Sequence, residues 1–94
     1  VWLHAAGGRT AELLEAADVH RDVAWVVSAE QMLDDAWFGS CVSSAARSRL
    51  GDVALVAHAP VALVDPDAPG PLLQSRHGSM TSAETYVPML VAVA

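Results

Sequence analysis

A mixed α/β fold is what this sequence of 94 residues predicts, on three observations. Short β-branched or apolar runs, at Val23 to Val27, Val53 to Ala57, Val61 to Val64 and Val87 to Val93, recur between turn residues and read as strands. Segments with apolar residues at helical spacing stand among them, headed by hydroxyl residues suited to capping. And 53% of the chain is hydrophobic, whereas a domain this small buries only about two thirds of the surface its unfolded chain exposes. That surplus implies strands in need of a larger sheet or of a partner surface.

Taken in order, Val1 to Ala6 reads as a short strand closed by Gly7-Gly8, after which Thr10 is placed to cap a helix over residues 10–18 with Leu13, Leu14 and Ala17 on one face. Val23 to Val27 follows as a strand. Ser28 and Gln31 then have the spacing of a capping box, which predicts a helix over residues 29–36, with Gly39 after Trp37-Phe38 as its left-handed stop. Residues 40–51 are small and polar, and Arg47 to Asp52 reads as a turn leading into the next strand. Val53 to Ala57 is almost continuously apolar, as is Val61 to Val64 after Pro60, the pattern of strands covered on both faces. Asp65 to Pro71 is a loop of turn residues. Thr81-Ser82-Ala83-Glu84 repeats the capping-box spacing ahead of a short helical turn, and Val87 to Val93 reads as a last strand whose Pro88 places its start at an edge.

A net charge of −6, with all five basic residues arginine and none clustered, excludes roles that rest on gripping a nucleic-acid polymer or an anionic membrane. Cys41 is the only cysteine, so no disulfide or thiolate cluster forms within the chain, and a reducing compartment such as the cytoplasm fits best. The longest apolar run, Met89 to Ala94, falls far short of the roughly 20 residues that span a bilayer. The chain opens on Val1 rather than Met, which we read as a cut through a longer chain; a signal ahead of it would lie outside the sequence.

Chemistry concentrates at Arg76-His77-Gly78-Ser79-Met80-Thr81, where a histidine and a glycine share a loop between ordered elements. A neutral imidazole binds Zn²⁺ at about 2.0–2.1 Å, and a loop anchored on both sides fixes the direction of its lone pair, while Gly78 allows backbone or substrate to come close. Without further context a lone histidine of this kind is more often a hydrogen-bonded structural or surface residue.

The run His77-Gly78-Ser79-Met80-Thr81-Ser82-Ala83-Glu84-Thr85-Tyr86-Val87-Pro88-Met89-Leu90-Val91 resembles the C-terminal signature of the alkaline phosphatase superfamily, in particular its bacterial nucleotide pyrophosphatase/phosphodiesterase-type proteins. The likeness extends upstream through Ala24 to Ser28, Trp37-Phe38-Gly39 and Gly51-Asp52-Val53, and departs from the usual pattern at Met80, where leucine is the rule. The resemblance implies that residues 1–94 are the C-terminal fragment of a single catalytic domain, an alkaline-phosphatase-like α/β sandwich on a mixed, mostly parallel sheet. It implies two divalent metal ions, usually zinc, with His77 as one ligand and the other ligands upstream of Val1. No catalytic residue is assigned within the chain, because the Thr or Ser nucleophile that attacks phosphorus in line is also expected upstream. The substrate would be a small phosphate ester, a nucleotide pyrophosphate or a phosphodiester, and the chain alone would be inactive. The alternative is a small non-enzymatic α/β module whose apolar strands dock on another protein.

The remaining candidates have plainer explanations. His58 reads as a strand-end residue with a possible supporting role, His4 and His20 as surface or cap positions, and Arg76 as a solvated loop residue that could face a phosphate. Asp34 and Asp35 diverge by about 100° on a helix and cannot chelate one ion side by side. Asp65 and Asp67 fit turn chemistry. None of Ser40, Ser43, Ser44 and Ser79 sits in a nucleophile elbow, and Cys41 and the three tryptophans read as buried or half-buried packing residues.

Overall fold

A computed structural model describes residues 1–93 and bears out the mixed α/β class. Its elements are β1 (Trp2–Leu3), α1 (Thr10–Ala17), a 3₁₀ turn (Asp18–His20), β2 (Ala24–Ser28), α2 (Ala29–Asp34), α3 (Ser44–Arg47), β3 (Val53–Ala57) and α4 (Ser82–Thr85). The three strands form one sheet in the order β1-β3-β2, and both pairs are antiparallel. A mostly parallel sheet is therefore not what the described strands make. The local cause is at Ser28. Helix α2 starts with no loop after β2, and the Ala29 N–H donates to the Asp52 carbonyl at 2.9 Å, so the end of β2 lies beside the start of β3. A parallel pair would need the chain to cross back along the full sheet first.

The register sorts side chains by face. Val26 opposes Leu55 and Ser28 opposes Val53, while Trp25 opposes Val56 and Val27 opposes Ala54. Strand partners share a face, so Val26, Val53 and Leu55 look the same way and meet α1, forming a core with Ala17 flanked by Leu3, Leu13, Leu14 and Leu63. Burying a side chain such as Leu55 stabilises the fold by about 1.5–3 kcal/mol. On the opposite face Trp2, paired with Ala54, meets the ring of Phe38 at 6.5 Å. β3 is thus covered on both sides, as its continuous apolar pattern predicts, and β2 alternates, leaving Trp25 52% exposed.

The helix ends depart from expectation in instructive ways. No side chain caps α1; Arg9 holds the N-cap position and Thr10 is already helical. Ser28 does cap α2, its Oγ accepting from the Gln31 N–H at 3.2 Å, but the Gln31 amide runs forward to Asp35 instead of closing a capping box. The helix stops at Asp34, before Gly39. The Ala36 N–H donates to Leu33 O (3.1 Å) and the Trp37 N–H to Met32 O (3.0 Å), the paired bonds of a Schellman stop, with Ala36 at φ 56. Gly39, at φ 88, serves the turn after it. Within the passage read as turns, Ser43 caps the short α3, accepting from the Ala46 N–H.

Two expected strands do not form a ladder. Residues 61–64 carry no strand: Pro60 has no N–H to give, the Val61 N–H closes a tight turn on Ala59 O, and β3 is already paired on both flanks. Only Leu63 of that run reaches the core. Residues 87–93 likewise carry no strand, and Leu90 is 96% exposed. The radius of gyration, 15.9 Å, exceeds the roughly 12 Å of a compact chain this long because of this trailing segment. Among the described residues no helix is long and apolar enough to cross a membrane.

Candidate functional site

The loop that carries His77 is pinned to the sheet at one point. β3 has its backbone groups at Leu55 bonded to Val1, and the next residue facing that flank, Ala57, offers its carbonyl to the Met80 N–H at 2.8 Å. Met80 thereby continues the line of β1 along the central strand, and the preceding residues, His77 to Ser79, lie at the C-terminal end of β3. Gly78 turns the chain at φ 94, a backbone conformation that side chains rarely adopt. No atom of the described residues stands within 4 Å of where its Cβ would be, so within this chain the glycine serves the backbone angle of the turn.

Beyond Met80, α4 closes the other side of the loop. The Thr81 carbonyl accepts from the Glu84 and Thr85 amides, each at 3.0 Å, and from the Thr85 hydroxyl. The Glu84 carboxylate accepts from the Ser79 N–H (3.3 Å) and from the Thr81 hydroxyl (3.2 Å). His77, Arg76 and Glu84 line an open hollow of about 650 Å³ whose floor includes Leu55 and Ala57. His77 and Arg76 are both exposed.

An exposed histidine lining a hollow is accessible to a cation. A zinc ion takes four ligands, however, and no group of three or more His, Cys, Asp and Glu side chains converges among the described residues. These residues fit one corner of a metal site and not the whole of one.

The other candidates scatter. His58 ends β3 as expected; its Nε2 lies 3.2 Å from Arg21 O and its ring meets Trp25 edge-on at 5.4 Å, while its N–H donates to Val23 O. His4 and His20 are exposed. Asp34 ends α2, Asp35 accepts from Gln31, and Asp65 accepts the Asp67 N–H in a turn, as its loop composition predicts. Cys41 is exposed, contrary to a packing role, and so are Trp25 and Trp37; only Trp2 is partly buried.

Two residues that the sequence showed as part of a turn, Gly51 and Asp52, organise the opposite end of β3. Asp52 accepts the Ala5 N–H on its carboxylate at 2.8 Å while its own N–H donates to Leu3 O, tying β1 to the start of β3. Gly51 is buried against β1: a Cβ there would stand 2.7 Å from Leu3 O and 3.0 Å from the Trp2 Cβ. The signal was present, since Gly51-Asp52 directly precedes the most apolar strand, but nothing in the sequence says which strand lies across it. No family model, curated protein or solved structure matches the chain.

Proposed function

We propose that this chain is the C-terminal part of a metal-dependent phosphoric ester hydrolase of the alkaline phosphatase type, to which it contributes His77 as one metal ligand and the closing segment of a larger α/β sandwich with a mixed, mostly parallel sheet. The observation that carries this reading is the bond from the Met80 N–H to Ala57 O, which sets the His77-Gly78 turn at the end of the central strand with its imidazole open to a hollow. A lone exposed histidine on a wandering loop would have no such anchor. One further feature supports it: Val87, Met89, Leu90, Val91 and Val93 are exposed, as expected of a segment that closes a larger body.

In this reading the metal pair, bound by His77 together with upstream carboxylates and histidines, supplies charge stabilisation to a phosphate ester or nucleotide pyrophosphate under attack. This chain's own task is to hold one imidazole aimed. The exposed segment from Tyr86 to Val93 also favours a second reading, a non-enzymatic module that docks those residues on another protein.

One experiment separates the two. The protein expressed from the full open reading frame is assayed for zinc content and for hydrolysis of bis(p-nitrophenyl) phosphate, with and without His77→Ala. The substitution is expected to remove about one of two zinc equivalents and to slow hydrolysis by about a hundredfold or more. Unchanged zinc and an unchanged rate would overturn the hydrolase reading and leave the docking module.

A further inference from the structure

We infer that Glu84 is a positioning residue for His77, holding the direction of the imidazole that would meet a divalent cation; the inference rests on the metal-ligand reading above. The spacing Thr81 to Glu84 predicts a capping box, in which the glutamate would return to the Thr81 N–H and the threonine hydroxyl would accept from the Glu84 N–H. Neither bond is made. Thr81 holds the N-cap position of α4 with no side-chain cap, and its hydroxyl donates to the Glu84 carboxylate instead. The other carboxylate oxygen reaches past the cap, five residues back, to the Ser79 N–H at 3.3 Å. Both side chains of the box are thus spent on the bend ahead of the helix.

That bend has little else to hold it. Gly78 sits at φ 94 with open space where a side chain would be, so packing does not fix the turn. Hydrogen bonds do. Met80 is tied to the sheet through Ala57 O, and Ser79, its half-buried neighbour, is tied to Glu84. Successive residues held from opposite sides leave Gly78 little freedom, and His77 is next in line. The Glu84 side chain, bonded at once to the Ser79 N–H and to the Thr81 hydroxyl, is the outer anchor of the bend. Without it the loop keeps one tether, at Met80, and the imidazole samples a wider cone.

The test uses the full-length protein, with amide exchange at Ser79 and zinc affinity by chelator competition as separate readouts. Glu84→Ala is expected to speed Ser79 exchange about tenfold and to weaken zinc about tenfold, the scale on which groups that orient a metal ligand act. Glu84→Gln retains an oxygen for the Ser79 N–H and an amide to donate to the Thr81 hydroxyl, so it should hold both readouts within about twofold of the parent. His77→Ala should lose zinc affinity while Ser79 exchange stays unchanged. An unaltered Ser79 exchange rate in Glu84→Ala overturns the inference, as does a Glu84→Gln protein as impaired as Glu84→Ala, since charge and not restraint would then be at work. If His77→Ala leaves zinc binding intact, the metal reading fails and the positioning role fails with it, while the Ser79 exchange rates still say whether Glu84 holds the bend.

Discussion

Residues 1–59 and residues 60–93 are built from the same kinds of side chain and meet different fates. Val53 is fully buried and Val93 is 94% exposed; Leu55 is 5% exposed and Leu90 is 96%. Each pair belongs to an apolar, β-branched run that reads as a strand. What separates them is the edge available when the chain arrives. The first part has all three strands, and β1 and β2 occupy both flanks of β3. The second part meets the central strand beyond the end of β1, at Ala57, whose carbonyl accepts from the Met80 N–H. Apolar pattern states a need for burial, and topology decides whether the chain itself can meet it.

The sharpest way to break this contrast is to truncate one leucine in each part. Leu55→Ala is expected to destabilise the fold by about 2–5 kcal/mol, combining lost transfer energy with a cavity among Ala17, Val26 and Val53. Leu90→Ala should fall within about 0.5 kcal/mol of the parent, because a side chain already in water loses nothing. Urea unfolding followed by tryptophan fluorescence measures both. A comparable loss at Leu90 would mean that residues 87–93 pack in solution and that the two parts are one body.

Gly51→Ala should have the next largest effect. A methyl there would press on Leu3 O at 2.7 Å, and backbone yields less readily than a flexible side chain, so an overpacking cost of about 1–3 kcal/mol is expected. The matching change in the second part, Gly78→Ala, meets no atom. Its cost is conformational only, about 1–2 kcal/mol if the turn is held, and less if residues 77–79 relax. Thermal melts of the two variants compare a glycine needed for space with one needed for its backbone angle.

How much of this was legible depends on what each residue depends on. Helix α1 followed from Leu13, Leu14 and Ala17, and β3 from its unbroken apolar run, because both are local patterns. The antiparallel order was not legible, since it turns on one bond between Ala29 and Asp52, residues far apart in the chain. The stop of α2 was misplaced to Gly39 because glycine is the usual left-handed residue, while the chain uses Ala36. α3 went unseen in a passage whose only helical signals are Ser43 and two alanines. At the candidate site, the His77-Gly78 loop and the helical turn after Thr81 were readable as a motif. The reach of Glu84 to Ser79 was not, because identical spacing at Ser28 to Gln31 and Thr81 to Glu84 leads to two different bonding patterns, neither of them the closed box.

The Ala36 position supplies a smaller, opposite test. A residue with a Cβ in the left-handed region carries about 1–2 kcal/mol of strain that glycine does not, partly offset by the extra freedom glycine has when unfolded. Ala36→Gly is therefore expected to raise stability by up to about 1 kcal/mol, read as a higher urea midpoint at unchanged slope. A loss of stability would mean that the paired bonds at Leu33 and Met32 do not end the helix in solution.

The smallest expected effect lies at the start of α1, where electrostatics act without burial. The Arg9 guanidinium hydrogen-bonds Glu12, which holds the Glu12 carboxyl below its ordinary value and raises Arg9 above its own; both groups are on the surface. The carboxyl is thus more acidic folded than unfolded, so the unfolded chain binds the proton first as pH falls. The stabilisation is fully present above the ordinary carboxylate range and is lost as pH drops through the lowered folded value. Surface pairs are screened by salt, so the effect should shrink in high ionic strength. Glu12→Gln is expected to flatten the acid side of the melting temperature against pH profile slightly, in low salt only. The same slope in Glu12→Gln and in the parent would assign the acid sensitivity to groups other than this pair.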